Sequence, residues 1–454
     1  MNKKILLSIL GMFFITCNTA MASLSSKIDQ VISSSGINSS AVAVSVKDVK
    51  TGNNLVKIRS KQPMIPASTQ KILTYPVVLE TLGSDYLFST KIYYSKDKEV
   101  YLKLSADPFF ATEDLKKLIK SLKENSIITC KEFYIDDYIM DFEDWGEGWQ
   151  WDNDLNPLMP RYSVYNIDGN LLTVVIRPTT PDSPADVKLT KFYPVTFMNL
   201  VKTGNSDNVV MSRKNNISPD ILTLEGTVKK QVIKKFPVNN PKRYFMIRLD
   251  EAVKGVSFDY YGKYPQKKYV PNENIKLVSE LSHSLSRAGA DILKNSNNMA
   301  AETVYKIAGG KYADGQGTID NANKMFLDYC ERNGLDTSDI RVVDGSGVSK
   351  NNIMTADFMT AFLVNLAQKD NFEELYNLMP APTEGTLANR MLYLKDNLKA
   401  KTGTLSDVSA IAGYLKTKSG NFVAFDIMIN NHKIKNSSKK ILEEEIIKTI
   451  YMNN

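Results

Sequence analysis

The sequence predicts an α+β chain with a large, mainly β insertion near its middle. Three observations predict this. Strand-like runs stand at both ends of the chain, at Ala41–Val46, Leu55–Ile58, Ala410–Leu415 and Asn421–Ile429. Helical periodicity follows Ser68 and returns from Asn274. From Thr90 to about Pro271, short β-type runs alternate with turns rich in Pro, Asn and Gly.

The first residues are a leader. Met1-Asn2-Lys3-Lys4 is basic, Ile5 to Ile15 is apolar, and Ala20-Met21-Ala22 offers a small-x-small cleavage site. This reads as a secretory signal peptide over residues 1–22, with an apolar run too short for a membrane span. Cys17 leaves a lipoprotein as an alternative, although Thr16 is an unusual residue before a lipidated cysteine. The protein is then expected outside the cytoplasm, with at most a loose association with membrane.

The 454-residue chain exceeds what one core usually covers, so two or three domains are expected. Its formal charge is +7, and losing Lys3 and Lys4 with the leader leaves about +5. That is far from a nucleic-acid footprint and weakly suits an anionic polymer. After processing, Cys130 and Cys330 remain and are expected as unpaired thiols. The two histidines, His283 and His432, have no companions at metal-ligand spacing and are read as structural or solvated.

Taking the elements in order, the first two strands are joined by the turn Lys50-Thr51-Gly52-Asn53-Asn54. A helix opens at Pro66-Ala67-Ser68-Thr69-Gln70-Lys71 and continues through Ile72-Leu73 and Val77-Val78-Leu79 to near Gly83. Within the insertion, Leu171–Ile176 and Tyr244–Leu249 read as strands and Glu113–Leu122 as a helix. All three tryptophans fall in Trp145-Gly146-Glu147-Gly148-Trp149-Gln150-Trp151, a loop packed with large rings or a ligand groove. Ile275, Leu277, Val278, Leu281, Leu285, Ile292 and Leu293 read as one helical stripe through Lys294, and Met299–Ile307 begins another helix. The last helix, about Lys440 to Tyr451, carries an apolar face read as packing on the sheet.

The chemistry starts at Ser68. On a helix, positions three apart share a face, so Lys71 stands beside the serine hydroxyl. A hydroxyl is a weak nucleophile, and a lysine able to lose its proton can serve as its base. The helix start also offers N–H groups to an oxyanion. A histidine-free serine acyl-enzyme further needs a proton relay, an amide for the substrate and a cation. The motif set is Ser-x-x-Lys, Ser-x-Asn and Lys-Thr-Gly. Each motif has decoys. Ser437-Ser438-Lys439-Lys440 repeats the first and reads as a solvated face. Lys-Thr-Gly occurs at Lys50, Lys202 and Lys401, the first in a hairpin turn and the second before a Ser206-Asp207-Asn208 in a polar turn. Lys401-Thr402-Gly403-Thr404 leads into apolar strands, where a strand edge can bind an extended peptide. Ser296-Asn297-Asn298, between two helices, is preferred as the middle motif over Ser349-Lys350-Asn351 in the Gly-rich loop after Asp344, where Ser346 reads as a turn residue.

With these motifs in order, the mature chain resembles the D-alanyl-D-alanine carboxypeptidase/endopeptidases of the penicillin-binding protein 4 type. Further matching stretches are Ala106-Asp107-Pro108-Phe109, Gly148-Trp149-Gln150-Trp151, Tyr193-Pro194-Val195-Thr196, Leu293–Met299 and Asp344-Gly345-Ser346-Gly347. The resemblance implies a penicillin-recognising domain, an antiparallel sheet flanked by helices, at 23–89 and 272–454. Residues 90–271 would form the insertion, as two smaller mainly β domains. It implies a periplasmic enzyme acting on peptidoglycan stem peptides and inhibited by β-lactams, needing no metal or cofactor. In its roles, Ser68 is acylated, Lys71 is the base, Ser296 relays a proton with help from Lys401, and Asn298 holds the substrate amide. Thr402, Gly403 and Thr404 line the peptide edge, with the Ser68 and Thr404 N–H groups as the oxyanion hole. Asp154, with Asp152 as neighbour, and Arg390 would hold the amine and carboxylate of a diaminopimelate side chain. Asn297 stands where the family usually has Asp, a position that supports the loop. Two rival readings are a β-lactamase-like hydrolase, for which Glu331 is poorly placed as a deacylating base, and a non-catalytic wall-binding protein, against which Ser68, Lys71 and Lys401 argue. The sequence leaves the balance of carboxypeptidase and endopeptidase activity, and the oligomeric state, open.

Overall fold

The structure is a computed structural model that describes residues 24–213, 218–431 and 433–454. The leader and His432 lie outside the described residues. The described chain divides into two compact units, one of residues 24–81, 289–297 and 323–454, the other of 82–288 and 298–322.

The first unit is built on five antiparallel strands: β1 (Val42–Asp48), β2 (Asn54–Ile58), β3 (Leu398–Thr404), β4 (Val408–Lys416) and β5 (Phe422–Asn430). Their order is β3-β4-β5-β1-β2, so chain ends distant in sequence pair at the centre, with Val44 opposite Ile427. Its helices are α1 (residues 24–34), α2 (Lys71–Leu82), α3 (Ala356–Leu366) and α4 (Asn436–Asn453). Leu24, Ile28 and Ile32 of α1 and Leu442, Ile446 and Ile450 of α4 share one core with Val42, Val44, Phe425 and Ile427. Ala43 and Met428, of opposite parity, pack with Ala356 of α3. Both faces of the sheet are therefore covered, which is why β4 is buried from Val408 to Leu415 and reads as a continuous apolar run. Helix α2 is buried from Lys71 to Leu79, and shows no polar face because it lies inside the unit.

The second unit carries a four-stranded sheet and two three-stranded sheets. Two expectations are corrected there. Ile275–Ser284 is a strand, paired antiparallel with Leu87–Ser95, and only Leu285–Lys294 is helical. A bulge between Leu277 and Ser279 breaks the two-residue alternation, so the apolar residues mimic a helical stripe. Tyr244–Leu249 lies in a helix, Pro241–Gly255. Asn240 caps it by accepting from the Arg243 N–H at 2.8 Å, and Pro241 occupies its first turn. The pairing of 275–284 with 87–95 also moves the division of the chain. The second unit takes in 82–89, 272–288 and 298–322 besides the expected 90–271.

Of the tryptophans, Trp145 and Trp149 pack edge to face at 5.1 Å, while Trp151 is exposed. His283 Nδ1 lies 2.6 Å from Asp107 Oδ2. Cys130 and Cys330 are both unpaired. Among the described residues no helix is long and apolar enough to cross a membrane.

Candidate active site

Ser68 stands in a tight turn rather than in the α-helix itself. Ala67–Gln70 forms a 3₁₀ turn that runs directly into α2 at Lys71. In such a turn residues three apart eclipse, so the Lys71 side chain rises over Ser68 and its Nζ lies 2.9 Å from Ser68 Oγ. Ala67 holds φ +49°, a left-handed conformation uncommon for a residue with a Cβ. Ala67, Thr69, Gln70 and Lys71 are buried and Ser68 is partly exposed, so the turn offers the serine to solvent.

The loop after Val343 closes over this turn. Asp344 organises it by accepting from the N–H groups of Gly347 and Ser349, each at 2.7 Å, and from Asn352 Nδ2 at 2.8 Å. The loop turns its carbonyls toward α2. Lys71 Nζ donates to Ser346 O at 2.6 Å and Thr74 Oγ1 to Gly345 O at 2.7 Å. Gly347 has φ +77°, and a Cβ there would fall 2.0 Å from Ala67 O, so only glycine fits. These groups were missed because their contacts are made by backbone carbonyls, which leave no side-chain signature in a sequence. The only pointer was the Asp-Gly-Ser-Gly run itself, read as a turn at Ser346.

Strand β3 flanks Ser68 from the other side. A Cβ on Gly403 would lie 2.8 Å from Pro66 O and 3.0 Å from the Ser68 N atom, so glycine allows the strand to approach the serine backbone. β3 is an edge strand. The Ala400 N–H points off the sheet, donating to Pro380 O at 3.1 Å. Backbone groups alternate sides along a strand, so the 402 and 404 N–H groups point off the same edge. Thr404 is exposed and Thr402 nearly buried. Lys401 is fully buried, and its Nζ donates to Thr402 O at 2.9 Å. Burial, and then the Lys71 charge, hold the Lys401 pKa well below the ordinary lysine value.

The loop of residues 294–297 joins the same unit. Ser296 has φ +62° and is partly exposed. Asp291 holds this loop, accepting from Asn295 Nδ2 at 2.8 Å and Asn297 Nδ2 at 2.6 Å. An amide at 297 complements the Asp291 carboxylate, where a second carboxylate would repel it. Gly385 approaches so closely that a Cβ would fall 2.0 Å from Lys294 O, and Glu384 pairs with Lys294 at 2.9 Å. Thr386 in turn accepts from Thr402 Oγ1 at 2.8 Å.

Three other expected site residues are engaged elsewhere. Arg390 places Nη2 2.9 Å from Glu443 and Nε 2.7 Å from Glu444, with only 13% of its side chain exposed. Its guanidinium is thus occupied by carboxylates of α4 rather than presented to a substrate. The Asp154 carboxylate pairs with Arg213 in the second unit. Asn298, also in the second unit, donates from Nδ2 to Leu158 O at 2.7 Å. Among the decoys, Ser206 bonds Thr227 and Lys50–Gly52 is a surface turn. Lys439 is not solvated as expected, since it is buried and donates to Asp407 O at 2.8 Å.

Comparison with known proteins agrees along nearly the whole length. The family model described as D-Ala-D-Ala carboxypeptidase 3 (S13) matches residues 24–449. A D-alanyl-D-alanine carboxypeptidase of Actinomadura sp. (strain R39) is 26% identical, over 89% of this chain and 80% of that protein. D-alanyl-D-alanine carboxypeptidase DacB of Haemophilus influenzae is 22% identical, over 87% of this chain and 86% of its own. The crystal structure of penicillin binding protein 4 (dacB) from Haemophilus influenzae superposes with a TM-score of 0.80 at 21% identity, covering 90% of this chain and 96% of that one.

Proposed function

Because the chain belongs to the D-Ala-D-Ala carboxypeptidase 3 (S13) family, we propose that it is a serine-type D-Ala-D-Ala carboxypeptidase, D,D-endopeptidase or both, acting on peptidoglycan stem peptides. The observation that carries the serine mechanism is the 2.9 Å contact between Lys71 Nζ and Ser68 Oγ inside a buried turn. Neutral Lys71 takes the hydroxyl proton as Ser68 Oγ bonds the penultimate D-Ala carbonyl carbon. The oxyanion that forms is held by the Ser68 and Thr404 N–H groups. As the C–N bond breaks, the proton taken by Lys71 passes through Ser296 to the leaving amine, with Lys401 assisting the relay. Water then releases the acyl group by the same steps in reverse order. The substrate lies as an added strand along the outer edge of β3, beside Thr402, Gly403 and Thr404. A leaving D-Ala makes the reaction a carboxypeptidase step, and a leaving cross-linked side chain makes it an endopeptidase step.

The basic start, the apolar run and Ala20-Met21-Ala22 support action in the periplasm. A β-lactam presents its carbonyl as the peptide would, and the structure of the Haemophilus influenzae protein complexed with a β-lactam, with a TM-score of 0.74, supports the same fate here. Labelled penicillin is expected to attach covalently to Ser68, as read by peptide mapping. A label on Ser206, Ser346 or Ser437 would sink the assignment. Digesting purified sacculi and weighing the products separates loss of terminal D-Ala from cutting of cross-links.

A further inference from the structure

One buried carboxylate is linked to the proposed peptide-binding edge along two paths. Glu443, on α4, is fully buried. Its Oε1 accepts from Ser409 Oγ at 2.5 Å, and Ser409 is the cross-strand partner of Thr404. Its Oε2 lies 2.9 Å from Arg390 Nη2. Arg390 ends the short loop that begins at Glu384, and its guanidinium also meets Glu444 and donates to Lys440 O at 3.2 Å. At the start of that loop, Thr386 accepts the Thr402 hydroxyl at 2.8 Å. From Glu443 one path thus reaches the strand opposite Thr404, and another reaches Thr402 through Arg390 and Thr386.

We infer that Glu443, with Arg390, is a positioning pair that fixes the Thr402–Thr404 edge against Ser68. This rests on the acyl-enzyme reading above. The physical argument is that a buried charge without its partner is far more costly than the intact pair, so the pair holds one geometry. The start of that loop is held by the Glu384–Lys294 pair and by Leu387 in the core, and the Glu443–Arg390 pair fixes its far end. Arg390 then acts without touching substrate, and its loss weakens every substrate alike.

The test uses the full mature protein, three single variants and the Glu443→Gln/Thr386→Val double variant. Glu443→Gln removes the charge that holds Arg390. Thr386→Val breaks the link to Thr402 and leaves the buried pair intact. Thr386→Ser keeps the hydroxyl. The readouts are the rate of Ser68 acylation by labelled penicillin, per folded molecule, and turnover of two peptides, a bare N-acylated D-Ala-D-Ala and one containing diaminopimelate. Glu443→Gln and Thr386→Val are each expected to slow acylation by about tenfold or more, since sub-ångström misplacement of a reacting edge has effects of that order. Both peptides lose equally, Thr386→Ser restores the rate, and the double variant loses little more than the worse single one. If Glu443→Gln does not fold, Arg390→Lys, which cannot bridge Glu443 and Glu444 at once, takes its place, and full-rate acylation there overturns the inference. Full-rate acylation in Thr386→Val overturns the inference, as does a loss in Glu443→Gln confined to the diaminopimelate peptide. Wild-type protein that takes no label at Ser68 would instead defeat the acyl-enzyme reading itself.

Discussion

At the scale of single residues, the proposed chemistry turns on two buried amines and one partly exposed hydroxyl. Lys71 lies 2.9 Å from Ser68 Oγ and 2.6 Å from Ser346 O, so it is aimed by a backbone carbonyl as well as by its own turn. Burial, and then the Lys71 charge, disfavour a proton on Lys401. A guanidinium at position 71 would keep the charge and lose the ability to take a proton. Lys71→Arg is expected to slow penicillin acylation by at least about a hundredfold, the lower range for losing general-base help. Stopped-flow labelling measures it, and a near-normal rate would point to another base.

At the scale of elements, the site is three loops braced on two rigid pieces, the start of α2 and the edge strand β3. The 344–347 loop has no room for a Cβ at its second glycine. Gly347→Ala would set a Cβ 2.0 Å from Ala67 O in a backbone at φ +77°. The backbone must then move, at a cost of about 1–3 kcal/mol for the conformation alone. The same movement shifts the Ser346 carbonyl off Lys71. The expected result is a lower urea midpoint together with slower acylation. A variant that unfolds and acylates like wild type would show that the loop yields freely. The element-scale misreadings have the same origin as this tolerance. Strand or helix at 275–284 was decided by the partner strand 87–95, which lies almost two hundred residues away in sequence.

At the scale of the whole molecule, stability carries the mark of a carboxyl buried in the first unit. Asp426 sits in β5, opposite Ser45 and Ala412, and neither of its oxygens meets a donor in good geometry. Burial holds its pKa well above the ordinary 3.8, more than the nearby Glu443 charge does. The folded protein therefore keeps a proton that the unfolded chain releases. The stability from this group is complete below the ordinary carboxylate range and is lost as pH rises through the folded value. Asp426→Asn removes that loss, so its stability relative to wild type is expected to rise from pH 5 to pH 8. Urea midpoints at the two pH values test this, and a constant difference would mean that Asp426 is ionised in the fold throughout this range. The thiols of Cys130 and Cys330 fall one in each unit, both pushed up to about 12 by burial.

The sequence by itself determined the family and the order of the motifs. Ser68, Lys71, Ser296 and Lys401 stand out in it as candidates because nucleophile, base and relay chemistry belongs to side-chain types at fixed spacing. It also determined the strands at the two chain ends, whose apolar runs reflect burial on both faces. Only the tertiary structure decided what those side chains meet. The Ser346 carbonyl beside Lys71 could not be read, since every residue has a carbonyl. Nor could the engagement of Arg390 by Glu443 and of Asp154 by Arg213, since pairing across 53 and 59 residues depends on which elements pack together. A charge in a sequence is a group seeking a partner, and only packing settles whether that partner is a substrate or the chain itself.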